Sequence, residues 1–115
     1  MSKDKTINYI EFAVKDIARS KTFYGDVFGW TFTDYGPAYC EFDDGQMKGG
    51  FALTEETQLK GGALVVLYGD DLAAVQEAVK ASGGQIVQDI FDFPGGQRFH
   101  FADLDGYELA VWTTS

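Results

Sequence analysis

Val14-Lys15-Asp16-Ile17-Ala18-Arg19-Ser20-Lys21-Thr22-Phe23-Tyr24-Gly25-Asp26-Val27-Phe28-Gly29-Trp30 is the stretch from which the fold can be read. Before it, Ile10, Phe12 and Val14 alternate with Tyr9, Glu11 and Ala13, and a period of two predicts a strand from Ile7 to Val14 with two unlike faces. Asp16 then stands where a helix N-cap belongs, because its carboxylate can accept from the free N–H groups of the first turn. Ile17, Tyr24 and Phe28 share one helical face with Phe23 and Val27 beside them, so Ile17 to Phe28 reads as a helix. Gly29 ends it, since the residue after a helix commonly takes a left-handed conformation.

Outward from this stretch the pattern repeats. Three short strands follow, Trp30 to Thr33, Ala38 to Phe42 and Met47 to Leu53, separated by Gly36-Pro37 and by an Asp43-Asp44-Gly45 turn. Gly61-Gly62 then leads into a strand, Ala63 to Tyr68. Asp71 caps a helix from Leu72 to Ser82, and Gly83-Gly84 stops it. Strands Gln85 to Phe91, Arg98 to Asp103 and Tyr107 to Trp112 complete the chain, with Asp105-Gly106 as the last turn. The order βαβββ therefore occurs twice. Asp16, Ile17, Ala18 and Gly29 match Asp71, Leu72, Ala73 and Gly84 at one offset. The Asp44-Gly45 and Asp105-Gly106 turns match at an offset six residues larger, a difference assigned to a longer loop around Pro94-Gly95-Gly96.

Phe23-Tyr24-x-x-x-Phe28-Gly29-Trp30 after Val14-x-Asp16 resembles the first module of the vicinal oxygen chelate superfamily, which contains glyoxalase I, bleomycin-resistance proteins and extradiol dioxygenases. Phe101-x-Asp103-Leu104-Asp105-Gly106 resembles the ending of its second module, with Leu104 in a proline place and Tyr107 in an asparagine place. The resemblance implies an α+β fold: one domain over residues 1–115, with module 1 at about 6–54 and module 2 at about 62–113. The two βαβββ modules form a cup-shaped mixed sheet with the helices on its outer face. It also implies a homodimer, as is common for members of this size. Ile10, Phe12 and Val14 then face the helix, and Tyr9, Glu11 and Ala13 line the cup.

The same resemblance places metal ligands, usually His and Glu, at four cup-facing positions. These fall on Tyr9, on Leu64, on Ala110 and around Gly49 to Phe51. A divalent ion needs several nitrogen or oxygen donors converging on it. These places do not supply them, and the single histidine, His100, lies on a different strand. Glu11 and Glu108 each sit two residues from a ligand place. No metal and no cofactor is expected, and metal-dependent glyoxalase or dioxygenase activity is disfavoured.

What remains on the cup face is apolar and aromatic with a few polar groups, the composition of a small-molecule pocket. The ligand-binding candidates are Tyr9, Glu11, Leu64, Tyr68, Arg98, Glu108 and Trp112, joined by Val66 and Ala110. A closed core or a dimer interface accounts for Leu64, Val66 and Trp112 equally well. Glu11 and His100 are the candidates for proton transfer. Each also has a bland reading: Glu11 as a structural ion pair or a solvated rim group, His100 as a surface residue of its strand. Cys40, alternating with Glu41, reads as a packing residue.

Composition sets the outer bounds. The 115 residues carry 18 acidic against 9 Lys and Arg side chains, a net charge of −9. That argues against nucleic acid and anionic membranes and permits a neutral or cationic small molecule. One cysteine, no apolar run of bilayer length and no signal-type stretch after Met-Ser-Lys-Asp-Lys favour the cytoplasm. The reading is a glyoxalase/bleomycin-resistance-like protein binding a small organic molecule without a metal. The alternative is an enzyme using Glu11 with His100 or Tyr9 for acid–base chemistry on a small carbonyl compound. A third reading is an interaction module whose cup is filled by its own aromatics.

Overall fold

A computed structural model describes residues 4–5, 7–56 and 63–114. The Gly61-Gly62 lead-in and the expected module ends at residues 6 and 62 lie outside the described residues. The chain divides into two compact units, residues 1–58 and 59–115, each of the order βαβββ.

In the first unit β1 (Tyr9–Val14) runs into α1 (Ile17–Phe28), and β2 (Thr31–Asp34), β3 (Tyr39–Asp43) and β4 (Lys48–Leu53) follow as a meander. The sheet order is β1-β4-β3-β2, with β4 parallel to β1 and the other pairs antiparallel. A parallel pair needs a long crossover, and α1 with the first two meander strands provides it. The helix begins as the sequence dictates, with the Asp16 carboxylate accepting from the Arg19 N–H at 3.0 Å. It ends on Gly29 at φ 73°, whose N–H donates to the Gly25 carbonyl at 3.0 Å.

α1 buries Ser20, Phe23 and Tyr24 against one sheet face. Phe12, Phe42 and Phe51 meet it there, with Tyr24 stacked on Trp30 at 4.6 Å and Trp30 on Phe42 at 4.4 Å between ring centroids. Gly49, on the same face of β4, leaves the room this stack needs, because a Cβ there would strike the Phe42 ring.

The second unit repeats the plan with β5 (Val65–Tyr68), α2 (Leu72–Ala81), β6 (Gln85–Phe93), β7 (Gly96–Ala102) and β8 (Glu108–Thr114), in the order β5-β8-β7-β6. Asp71 caps α2 by accepting from the Ala74 N–H at 3.1 Å. Its core is more aliphatic: Leu72, Val79, Leu109 and Val111 pack with Phe99 and Phe101. The final turn is held by Asp103, whose carboxylate accepts from the Asp105 and Tyr107 N–H groups.

One expectation fails. The extra residues of the second unit do not form a longer loop around Pro94-Gly95-Gly96. Phe93 pairs directly with Gly96, leaving a two-residue Pro94-Gly95 turn with Gly95 at φ 111°. The surplus lengthens the hairpin instead: β6 and β7 have 9 and 7 residues, against 4 and 5 in β2 and β3. Two irregularities of register, between Ile86 and Gln88 and between Gln88 and Phe91, each give β6 one residue more than β7, and beyond them Phe91 and Phe93 pair within the sheet.

Candidate functional site

Each sheet has one face under its helix and one without it. On β1 the helix face holds Phe12 and Val14, both buried, while Tyr9 and Glu11 are exposed on the other. Cross-strand partners share a face, so the register carries this division across the sheet. Glu11 pairs with Gly50, Gly50 with Glu41, Ala52 with Tyr39, and Asp43 with Lys48; all stand opposite the helix.

A chain of hydrogen bonds crosses this open face. The Tyr39 hydroxyl donates to Glu11 Oε1 at 2.9 Å, and the Tyr9 and Tyr39 hydroxyls are 2.6 Å apart. A phenol has one proton, so with Tyr39 donating to Glu11 it is Tyr9 that donates to Tyr39. The chain then ends on acceptors only, the second Glu11 oxygen and the Tyr9 oxygen. Gly50 lies beneath it, and a Cβ at that position would collide with the Tyr39 hydroxyl. Burial, followed by the bonds from Tyr9 and to Glu11, pushes the Tyr39 phenol well above the usual tyrosine range. Beside it Lys48 and Glu41 form a loose ion pair at 3.8 Å.

The open face of the second unit is built on the same lattice with other groups. Val66 pairs with Ala110, Tyr68 with Trp112, Arg98 with Trp112 and His100 with Ala110. Leu64, Val66 and Tyr68 are 40%, 44% and 52% exposed. Tyr68 meets Trp112 edge-on at 5.2 Å, and Phe93 lies 6.2 Å from Trp112. Arg98 holds its guanidinium over the rings of Phe91 and Phe93, at 5.5 and 5.7 Å.

His100 is not the surface residue that its bland reading made it. Only 7% of it is exposed, because β7 lies between β6 and β8 and the Phe91 ring sits 5.9 Å from the imidazole. Its Nδ1 is 2.7 Å from Glu108 Oε2. Of the candidate residues, then, the structure joins Tyr9 with Glu11 in the first unit. In the second it joins His100 with Glu108 and sets Tyr68 against Trp112. Glu11 takes its hydrogen bond from Tyr39, which the sequence reading passed over although Cys40 and Phe42 in the core fix Tyr39 on the opposite face. Phe91 and Phe93 were also missed, since only the lengthened hairpin places them. Cys40 is fully buried, and that burial raises its thiol pKa, which suits packing and not nucleophilic work.

The pairing register settles which residue of β4 corresponds to Ala110. Glu11 opposes Gly50 as Val66 opposes Ala110, so the four implied ligand places are Tyr9, Gly50, Leu64 and Ala110. One phenol, one glycine and two hydrocarbon side chains are not a donor set for a divalent ion. No group of three or more His, Cys, Asp and Glu suited to a metal occurs among the described residues. The residues present therefore do not fit the metal for which these places serve in the family.

Comparison with known proteins agrees with the fold. Residues 6–111 match the family model of the Glyoxalase/Bleomycin resistance protein/Dioxygenase superfamily. A glyoxylase-like domain-containing protein of Didymella fabae is 32% identical over a 123-residue alignment covering 93% of this chain and 92% of its own. Among solved structures, the genomically encoded fosfomycin resistance protein FosX of Listeria monocytogenes superposes with a TM-score of 0.84 at 14% identity, over 98% of this chain and 96% of that one. A glyoxalase-related enzyme of Fulvimarina pelagi gives 0.81 at 21% identity, over 96% and 88%. At such identities these structures support the fold alone. With the duplicated βαβββ order and the family match over nearly its whole length, the chain belongs to the glyoxalase/bleomycin resistance protein/dioxygenase superfamily.

Proposed function

We propose that this protein binds a small organic molecule on the open sheet faces and does so without a metal. The observation that carries the reading is the mixture on those faces: large exposed apolar side chains (Tyr9, Leu64, Val66, Tyr68) interspersed with fixed hydrogen-bonding groups, Tyr39 with Glu11 and His100 with Glu108. Pockets for small ligands have this composition, since apolar walls supply affinity and a few polar groups supply orientation. The missing donor set supports the metal-free part of the reading. The lone, buried Cys40 is in keeping with a reducing, cytoplasmic setting, and we read the chain as a homodimer. No helix among the described residues is long and apolar enough to cross a membrane.

A thermal-shift screen of neutral and cationic organic compounds tests the reading, because a ligand that binds only the folded state raises its melting temperature. Hits whose binding quenches Trp112 fluorescence and survives exhaustive chelation support it. Stoichiometric divalent metal in the purified protein, or a screen without hits, counts against it. Light scattering should return the mass of two 12.7 kDa chains.

The His100–Glu108 pair favours a second reading, acid–base chemistry on a small carbonyl compound. A carboxylate that holds Nδ1–H leaves Nε2 to take a proton. Turnover that disappears in His100→Gln would select this reading over binding alone.

A further inference from the structure

Two buried polar atoms of β7 have no hydrogen-bond partner among the described residues, His100 Nε2 and Arg98 Nε. Buried polar atoms are nearly always satisfied, so an orphaned pair on one strand face calls for an occupant. His100 and Arg98 are two residues apart on β7 and therefore project from the same side of the sheet. Glu108 accepts from Nδ1–H at 2.7 Å, which fixes the tautomer and leaves Nε2 as a lone-pair acceptor. No carboxylate among the described residues forms an ion pair with Arg98. The other groups facing this pair are Gln88, Phe91 and Phe93 from β6 and Ala110 and Trp112 from β8, none of them charged. An acceptor and an unpaired cation thus stand side by side between aromatic rings.

We propose that His100 and Arg98 receive a weakly acidic hydroxyl group, a phenol or an enol, carried on a flat apolar molecule. The ligand O–H donates to His100 Nε2 and passes its proton there. The O–H bond breaks, the N–H bond forms, and the electron pair stays on oxygen. The resulting imidazolium lies between the Glu108 carboxylate and the bound oxyanion, and Arg98, two residues away on the same face of β7, adds a second positive charge. The chain's charge of −9 fits this order of events: a free anion is repelled at long range, whereas a neutral acid arrives unhindered and ionises once bound. This inference rests on the small-molecule reading and names the ligand class of its second-unit face.

4-Nitrophenol is a suitable probe because only its anion is yellow. It is titrated into the full chain at a mildly acidic pH at which most of the free phenol keeps its proton. Saturable binding that develops the anion band is expected, and 4-nitroanisole, which has no O–H, should bind about tenfold more weakly or worse. That comparison needs no variant. His100→Gln should abolish the band, and Arg98→Gln should weaken binding about tenfold. Glu77→Gln, an exposed position on α2 away from the open face, should change neither. Binding without the anion band, or equal binding of the anisole, overturns the proposal. Binding lost in Glu11→Gln but kept in His100→Gln also overturns it while leaving the small-molecule reading intact. So does failure of 4-nitrophenol beside hits of another class in the thermal-shift screen. Failure of every compound overturns both.

Discussion

The two units use one lattice for opposite chemistry. Pairing makes Glu41 of β3 the counterpart of His100 of β7, because each opposes the matching residue of its neighbour, Gly50 or Ala110. By the same register Lys48 corresponds to Glu108 and Tyr39 to Arg98. Each unit thus carries an acid and a base in contact at the same diagonal position with the places exchanged: acid on β3 and base on β4, then base on β7 and acid on β8. The first pair is loose and solvated, while the second is short and has its imidazole buried. Beside them the first unit presents phenols and a carboxylate, all acceptors at their outer end, and the second presents a guanidinium over two rings. A duplicated scaffold keeps its core periodicity under folding constraint, but the face opposite the helix is free to diverge.

The largest expected effect concerns the cores. Phe51→Ala removes a fully buried ring that adjoins Phe12, Tyr24, Phe32 and Phe42, and should cost about 3–5 kcal/mol in urea-induced unfolding. Phe101→Ala in the second unit should fall lower in that range, since the core around it is more aliphatic, with Leu72, Val79, Leu109 and Val111. Equal costs would show that aromatic stacking adds nothing beyond buried area.

Next comes the equivalent pair Gly50 and Ala110. Gly50→Ala forces the Tyr39 hydroxyl away and should cost about 1–3 kcal/mol while breaking the Tyr9–Tyr39–Glu11 chain. Ala110→Gly should cost only about 0.5–1 kcal/mol, the backbone penalty of glycine in a strand. If both prove alike, Gly50 is not reserved for the tyrosines.

Tyr39→Phe, a smaller change of about 1 kcal/mol, separates the units by pH. Because the folded-state pKa of Tyr39 is raised, its contribution is complete below the unfolded tyrosine value near 10.0 and is lost as pH climbs from there toward the higher folded value. The wild type should therefore lose stability above that pH more steeply than Tyr39→Phe. An ultraviolet titration of the folded chain should also show one late-ionising phenol that the variant lacks.

The smallest effect is expected for Lys48→Met. Its ion pair is exposed and 3.8 Å long, so stability should change by no more than about 0.5 kcal/mol and decline no further with added salt. A larger loss would mean that the two acid–base pairs are not as unlike as their burial implies.

Local chemistry was open to reading in the chain. Asp16 and Asp71 cap helices because a carboxylate three residues ahead of a free N–H does so wherever it occurs. The alternation through Phe12 and Val14 sorted β1 into core and open sides, and it placed Tyr9 and Glu11 correctly. Tyr39 was equally legible once Cys40 and Phe42 were assigned to the core, yet nothing in its own neighbourhood marks it as the partner of residues 28 and 30 positions away. Glu108 stood among the candidates, but its pairing with His100 depends on the β7–β8 register, which sequence spacing does not specify.

The amino-acid sequence by itself determined the order of elements, their caps and turns, the duplication and the family. These follow from period, from residue-specific backbone preference and from contacts between near neighbours. Tertiary structure alone decided which polar atoms meet: that Gly50 yields its space to two phenols, that most of the second unit's surplus residues become hairpin rather than loop, and that the only histidine is buried with a nitrogen unpartnered among the described residues. Such facts depend on cross-strand register, where a slip of one residue exchanges the two faces of a strand, and register is fixed by the packing of the whole sheet.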